Sequence, residues 1–148
     1  MDEQEQLEQF WLTLTETGNQ QPYYKTLGIV VEQVDAKGSH LRCTVEPKLG
    51  QFHGVAHGGV AASLIDSAIG MAVAGSEVGG ANVMTLELKL NYLRALPLGE
   101  TVTAHGWVTH KTRRTIYGEA TIHDQGGRLL AKGSATFIQV DRALETGG

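Results

Sequence analysis

A histidine and two glycines stand just before an apolar segment that carries a single carboxylate. The motif is His57-Gly58-Gly59, and Asp66 follows eight residues after Gly58. At a helix entrance the first backbone N–H groups lack partners and the dipole is positive, and glycines let a ligand come close. Such amides can hold a developing oxyanion, and a carboxylate can activate water or attack a carbonyl directly. The pattern therefore indicates chemistry on a carbonyl group, although a tight loop-to-helix turn accounts equally for the glycines.

The segment that carries Asp66 has the pattern of a buried helix. Apolar residues recur at helical spacing, namely Val60, Leu64, Ile65, Ala68, Ile69, Ala72 and Val73. One polar stripe interrupts them, namely Ser63, Asp66, Ser67 and Gly70. At about 16–18 residues the helix is expected to be too short and too polar to span a membrane. Burial of an ionised carboxylate is costly, so the alternative for Asp66 is a solvated edge or a bond to nearby backbone.

The loop before this helix supplies further polar candidates. Gln51 can donate an amide hydrogen to a carbonyl oxygen, or it is an exposed loop glutamine. His57 is expected to fix the loop through a hydrogen bond of its neutral imidazole. A metal site at His53, His57 and Asp66 is not predicted, because the two histidines lie in a glycine-rich loop without a third convincing ligand.

The separation of Gly58 from Asp66 has a consequence for assembly. Eight helical residues span about 12 Å, so one reacting carbonyl cannot easily touch both residues within one chain. If the two residues share a site, two chains build it, and a symmetric dimer carries two such sites.

The elements around the central helix are mostly strands. The predicted elements are an amphipathic helix at 2–17 and strands at 26–35, 39–46, 81–96, 100–111, 115–124 and 128–140. The strand after the central helix is expected to place Met84, Leu86, Leu88, Leu90 and Tyr92 on one face and Thr85 on the polar face. Strands joined by short turns predict an α+β fold, in which an antiparallel sheet wraps one long helix. The predicted divisions are a helix and linker at 1–22, one domain at 23–140 and a frayed tail at 141–148; the first helix packs on the sheet or covers a ligand tunnel.

Composition excludes several classes of protein. The 148-residue chain has a formal net charge of −4, which does not favour a nucleic-acid binder. The single cysteine, Cys43, cannot form an intrachain disulfide and is expected to be a small buried hydrophobe. Neither a signal-like N-terminus nor a long apolar run is found, so we expect a cytoplasmic protein without membrane contact.

The motif H-G-G-x6-D, with Gln51 upstream and the strands downstream, resembles the hotdog-fold acyl-CoA thioesterases. The most similar branch is the phenylacetate-pathway (PaaI-like) and THEM-type group, and the resemblance runs from Tyr23 to Val140. It implies that the Gly58 amide binds the thioester oxygen with help from Gln51. It also implies that Asp66 of another chain activates water or attacks, and that Thr85 orients the water. Thr85 would need a neighbouring chain over its face, and otherwise it is a solvent-facing strand threonine.

The resemblance also implies a substrate and an assembly, and two alternative functions remain open. Arg113, Arg114 and Lys111 would meet coenzyme A phosphates, although such a basic cluster is usually a solvated turn. Dimers are required by the shared site and tetramers are implied by the family, with no metal or organic cofactor. The first alternative function is that of a hydratase or dehydratase of acyl thioesters with the same fold. The second is that of a non-catalytic acyl-CoA-binding module.

Overall fold

The structure, a computed structural model, describes residues 1–78, 80 and 82–140. The elements are, in chain order, α1 (Glu3–Gly18), α2 (Pro22–Leu27), β1 (Ile29–Asp35), β2 (Gly38–Thr44), a 3₁₀ turn (Pro47–Leu49), α3 (Gly58–Ser76), β3 (Val83–Tyr92), β4 (Thr101–Lys111), β5 (Thr115–His123) and β6 (Leu129–Gln139). This order confirms the prediction, with α2 as an addition. The predicted tail at 141–148 and residue 81, the first of the predicted strand at 81–96, lie outside the described residues.

The six strands form one antiparallel sheet in the order β1-β2-β4-β5-β6-β3. Helix α3 contacts every strand, so the sheet wraps the helix as predicted. Strands β1 and β3 are the two edges of this sheet. Cys43 is fully buried on β2, as expected, and burial raises the pKa of its thiol, with a smaller contribution from Glu46.

Helix α3 is the core of the molecule. It has 19 residues, more than predicted, because it begins at Gly58 rather than at Val60. By length and composition alone it could cross a membrane, but 61% of that window is buried inside the protein, as in the core helix of a soluble fold. Gly106 on β4 allows the close approach, since a Cβ there would lie 2.3 Å from the carbonyl oxygen of Ala68.

The N-terminal helices are fastened to this core by side-chain hydrogen bonds. The indole N–H of Trp11 donates to the carbonyl of Gly75 at the end of α3 (3.0 Å). The Asn19 side chain donates to the Val31 carbonyl (3.0 Å) and accepts from the Val31 amide (2.8 Å), as a neighbouring strand would. Helix α1 is therefore a packed part of the fold.

The predicted strand at 26–35 is wrong over its first three residues. Thr26 and Leu27 complete α2, which Pro22 opens at a favourable position and Gly28 ends in the left-handed conformation (φ 78°). Buried Tyr24 anchors this short helix to the core. Tertiary packing thus overrides the β-rich character of the segment.

Strand β3 does not have the single apolar face predicted for it. A bulge between Thr85 and Glu87 shifts the register against β6, so side-chain parity changes there. Met84 and Leu86 are exposed, while Leu88 and Leu90 pack against the core. The assignment of Met84 and Leu86 to the same face as Leu88 and Leu90 is therefore wrong.

Candidate active site

Asp66 is held by a threonine of its own chain. It lies on the half-buried stripe of α3, and its Oδ1 accepts a hydrogen bond from the Thr85 hydroxyl (2.8 Å). The bulge in β3 turns Thr85 toward α3. Thr85 is exposed in the single chain, as expected of a strand threonine, but its hydroxyl reaches Asp66 without a neighbouring chain. The bond occupies one carboxylate oxygen and fixes the direction of the other.

The entrance of α3 presents a backbone amide. The imidazole Nδ1 of His57 accepts from the Gly59 amide (2.8 Å), which caps the helix and is the hydrogen bond expected of His57. In the part of the chain that the structure describes, the Gly58 amide has no hydrogen-bond acceptor. This amide is exposed and at the positive end of the helix, so it can bind an oxyanion.

Gln51 lies beside the start of α3, and one of its two side-chain polar groups already has a hydrogen-bond partner. Its side-chain oxygen accepts from the His53 amide, and its backbone amide donates to Val55 (2.8 Å). The NH₂ group of the side chain therefore remains as the available donor. Gln51, His57 and Gly58 line one cavity of about 340 Å³. Over the described ranges, no group of three or more His, Cys, Asp or Glu side chains is placed to hold a metal ion.

Two residues at the end of β3 join this cavity and were missed by sequence reasoning. The Tyr92 hydroxyl donates to the Gly58 carbonyl (2.9 Å), and Arg94 adds a positive charge to the cavity lining. Tyr92 was assigned to a strand face and Arg94 received no role. No signal in the sequence pointed to either residue, because both lie inside the predicted strand at 81–96, whereas β3 ends at Tyr92.

Asp66 lines a second and larger cavity, of about 440 Å³. Its walls come from α1, α2, α3 and the ends of β3 and β6. The two cavities therefore contain different halves of the predicted catalytic set.

Two hydrogen bonds tie α3 to opposite ends of β3. Asp66 is bound to Thr85 near the start of the strand, and Gly58 is bound to Tyr92 at its end. Gly58 and Asp66 lie on one continuous helix, about 12 Å apart along its axis. Within one chain, a single carbonyl therefore cannot easily contact both residues.

The three basic residues at the β4–β5 turn have different surroundings. The Lys111 ammonium donates to the Ser76 carbonyl (2.8 Å) and pairs with Glu77 (3.0 Å), so it neutralises the C-terminal end of α3. Arg113 and Arg114 are exposed. The Arg114 carbonyl accepts from the Gln139 amide, and Gln139 pairs with Val83 at the start of β3. Arg113 and Arg114 therefore lie at the same end of β3 as Thr85.

Comparison with known proteins identifies the family of the chain. The model of the family described as thioesterase superfamily matches residues 53–131, which include the helix entrance, Asp66 and Thr85. The chain belongs to the thioesterase superfamily. A Mycobacterium tuberculosis protein named as an esterase is 30% identical over 123 residues, which cover 81% of this chain and 87% of that protein.

Solved structures of superfamily members show the same fold. A mutant of the phenylacetic acid degradation protein PaaI from Thermus thermophilus is 27% identical, with a TM-score of 0.73 over 81% of this chain and 100% of that one. A protein described as a hypothetical thioesterase from Streptococcus pneumoniae, solved with coenzyme A, is 26% identical, with a TM-score of 0.69 over 76% of this chain and 85% of that one. The chain is thus a PaaI-like hotdog protein of the thioesterase superfamily, as the sequence resemblance implies.

Proposed function

We propose that the protein is an acyl-CoA thioesterase, which hydrolyses an acyl- or aryl-CoA thioester to the carboxylic acid and free coenzyme A. The observation that carries the proposal is the Asp66 carboxylate held by Thr85 in a chain of the thioesterase superfamily. The coenzyme A in the Streptococcus pneumoniae structure supports the choice of thioester.

The reaction needs an oxygen nucleophile and a site for the oxyanion. Water adds to the thioester carbonyl carbon while Asp66 takes its proton, or Asp66 adds first and water cleaves the resulting anhydride. The Gly58 amide and the Gln51 side-chain NH₂ stabilise the oxyanion. In the general-base route the C–S bond of the tetrahedral intermediate then breaks, and the thiolate takes up the proton held by Asp66. In the nucleophilic route the C–S bond breaks as the anhydride forms, and the thiolate takes up the proton released when water cleaves that anhydride. Thr85 keeps one oxygen of Asp66 occupied, so the other faces the nucleophile.

Two chains form each site in this proposal. Strand β3 is an edge of the sheet that the described residues form. Met84 and Leu86 on this strand and Leu93 just after it are exposed, which favours pairing with a second copy. An antiparallel pairing about a two-fold axis near Leu88 brings the Thr85 end of one strand beside the Tyr92 end of the other. Asp66 of one chain then meets Gly58 of the partner subunit, because both are tied to those strand ends.

The same pairing suggests where the rest of the substrate lies. Arg113 and Arg114 lie at the Thr85 end of β3 and are proposed to bind the coenzyme A phosphates. Lys111 is proposed only as a minor contributor, because Ser76 and Glu77 already engage it. We further propose a cytoplasmic homotetramer of two such dimers, which uses neither a metal nor an organic cofactor.

The experiment is free-thiol release from a panel of aryl- and alkyl-CoA esters, with the wild type beside Asp66→Asn. We expect turnover by the wild type and a fall of at least about 100-fold in the variant, because the base or nucleophile is lost. Binding of the esters by both proteins without release from any of them would refute the proposal.

A further inference from the structure

The larger cavity has the size and lining of a site for an apolar group. It measures about 440 Å³, within the range of small-molecule sites. Its lining residues are Leu14, Thr17, Gly18, Gln21, Tyr23, Tyr24, Asp66, Ser67, Gly70, Met71, Ala74, Val83 and Phe137. Beyond the Asp66 end, the walls are formed largely by hydrocarbon and aromatic side chains. An extended apolar ligand is therefore favoured over a charged one.

Among the described residues that line this cavity, Asp66 is the one with a charged side chain. Tyr24 is buried, and burial raises the pKa of its phenol against the opposite effect of hydrogen bonds to Ser67 and Gln21. The phenol therefore stays neutral at physiological pH. Within the part of the chain that the structure describes, no lining residue beyond Asp66 offers a counter-charge to a charged acyl group.

The lining follows α3 in a straight line away from the carboxylate. Asp66, Gly70 and Ala74 are spaced four residues apart and all line the cavity, so Gly70 lies about 6 Å and Ala74 about 12 Å beyond Asp66. An extended hydrocarbon chain advances about 1.3 Å per carbon, so 12 Å corresponds to about eight to ten carbons.

We propose that this cavity holds the acyl chain of the substrate, and that Gly70 and Ala74 set the longest chain accepted, at about eight to ten unbranched carbons. This inference rests on the proposed thioesterase function and names its substrate class. The carbonyl lies beside Asp66, and the chain runs along α3 under the cover of α1 and α2.

Gly70 leaves the first part of the path open. A Cβ at position 70 would lie 3.5 Å from the Phe137 ring, which is ordinary van der Waals contact. A methyl group is therefore accommodated without strain, and in a helix interior alanine is also preferred to glycine by about 1 kcal/mol. Any longer side chain must project into the cavity.

The test measures kcat/KM for butyryl-, hexanoyl-, octanoyl-, decanoyl- and dodecanoyl-CoA with two blocking variants. Gly70→Leu should raise the butyryl-to-hexanoyl ratio about 10-fold or more, because a chain cannot pass position 70. Ala74→Leu should leave that ratio near the wild-type value and raise the hexanoyl-to-decanoyl ratio by a similar factor. Gly70→Ala, which keeps the fold, should shift the ratios in the same direction as Gly70→Leu but less.

Helix α1 offers a matched control pair. Leu14 lines the cavity, whereas Leu12 on the same helix is exposed and does not. Leu14→Ala should widen the cavity and raise the relative rate with dodecanoyl-CoA, while Leu12→Ala should leave the profile unchanged.

Folded variants that all keep the wild-type chain-length profile would overturn the acyl-chain assignment, as would a wild type that prefers an aryl ester and accepts no alkyl chain beyond butyryl. A wild type that cleaves no ester at all would instead refute the thioesterase function itself.

Discussion

Among single residues, Gly58 is proposed to act through its backbone amide, as an oxyanion donor. A proline at this position would remove that N–H group and change little else. Position 58 is the first of α3, where proline is well accepted, and His57 already has the extended conformation that a following proline requires (φ −58°, ψ 141°). Gly58→Pro should lower kcat by about 100- to 1,000-fold with little loss of stability, because the oxyanion donor is gone.

Gly58→Ala is the control for that substitution, since it adds a side chain and keeps the N–H. A Cβ at position 58 would lie 3.6 Å from the Tyr92 hydroxyl, which is a normal contact. The rates of thiol release by the two variants show whether the Gly58 N–H contributes to catalysis. Circular dichroism checks that each variant is folded. Equal activity of the two variants would show that the amide takes no part.

A second residue-scale prediction concerns the hairpin between β5 and β6. Asp124 accepts from the Arg128 amide (2.9 Å) and from its guanidinium (2.9 Å), and these bonds, the backbone one first, hold its pKa below the ordinary 3.8. The ionised form is therefore favoured by folding. Its contribution is complete above the unfolded pKa and is lost as the pH falls through the lower folded value.

Urea unfolding of the wild type and Asp124→Asn at several pH values tests this. The free energy of unfolding should be lower in the variant at pH 7, and the difference should shrink below a pH of about 3.8. Glu16→Gln, at an exposed position of α1, should show no difference at any pH. A constant deficit for Asp124→Asn across the whole range would contradict the stated cause.

Sequence reasoning identified chemistry-bearing residues by type but not all of their contacts. Asp66, Gly58 and His57 were found because a carboxylate on an apolar helix and glycines at its entrance are unusual on their own. The contact between Asp66 and Thr85 depends on a one-residue bulge, which alternation in the sequence does not encode.

At the scale of elements, the close packing of α3 on the sheet depends on glycine at position 106. A Cβ there would lie 2.3 Å from the Ala68 carbonyl oxygen and 2.8 Å from the Ile69 nitrogen, and backbone atoms cannot give way as side chains do. Gly106→Ala should therefore reduce the free energy of unfolding by about 1–3 kcal/mol or more.

Gly126→Ala is the matched control in urea unfolding. A Cβ at position 126 would come no closer than 3.4 Å, to an Asp124 oxygen, so a change within about 0.5 kcal/mol is expected. Wild-type stability of Gly106→Ala would mean that α3 sits further from β4 than described.

Elements were predictable where the pattern was long and regular. The 3.6-residue period of α3 and the alternation of β2 and β4 were sufficient to identify them. Helix α2 was not predictable, because it has only six residues, and its stability comes from the burial of Tyr24 rather than from its own period.

For the whole molecule, the proposed active site requires more than one chain. Each chain ties Asp66 to one end of β3 and Gly58 to the other, and the β3 edge carries exposed apolar side chains. The spacing of Gly58 and Asp66 along one helix was enough to predict a shared site from the sequence. The position of β3 at the edge of the sheet, where we propose that two chains pair, was not predictable, because strand order depends on long-range pairing.

Thiol release by hybrid dimers tests directly whether Asp66 of one chain and Gly58 of the partner subunit form one site. Asp66→Asn chains and Gly58→Pro chains should each be inactive alone. Co-expressed in equal amounts, random pairing makes about half of the dimers hybrids, and each hybrid has one intact site of its two. We expect recovery of roughly a quarter of the wild-type activity, because Asp66 of one chain works with Gly58 of the partner subunit. No recovery in hybrids whose formation is verified would contradict it, since the two residues would then have to act within a single chain.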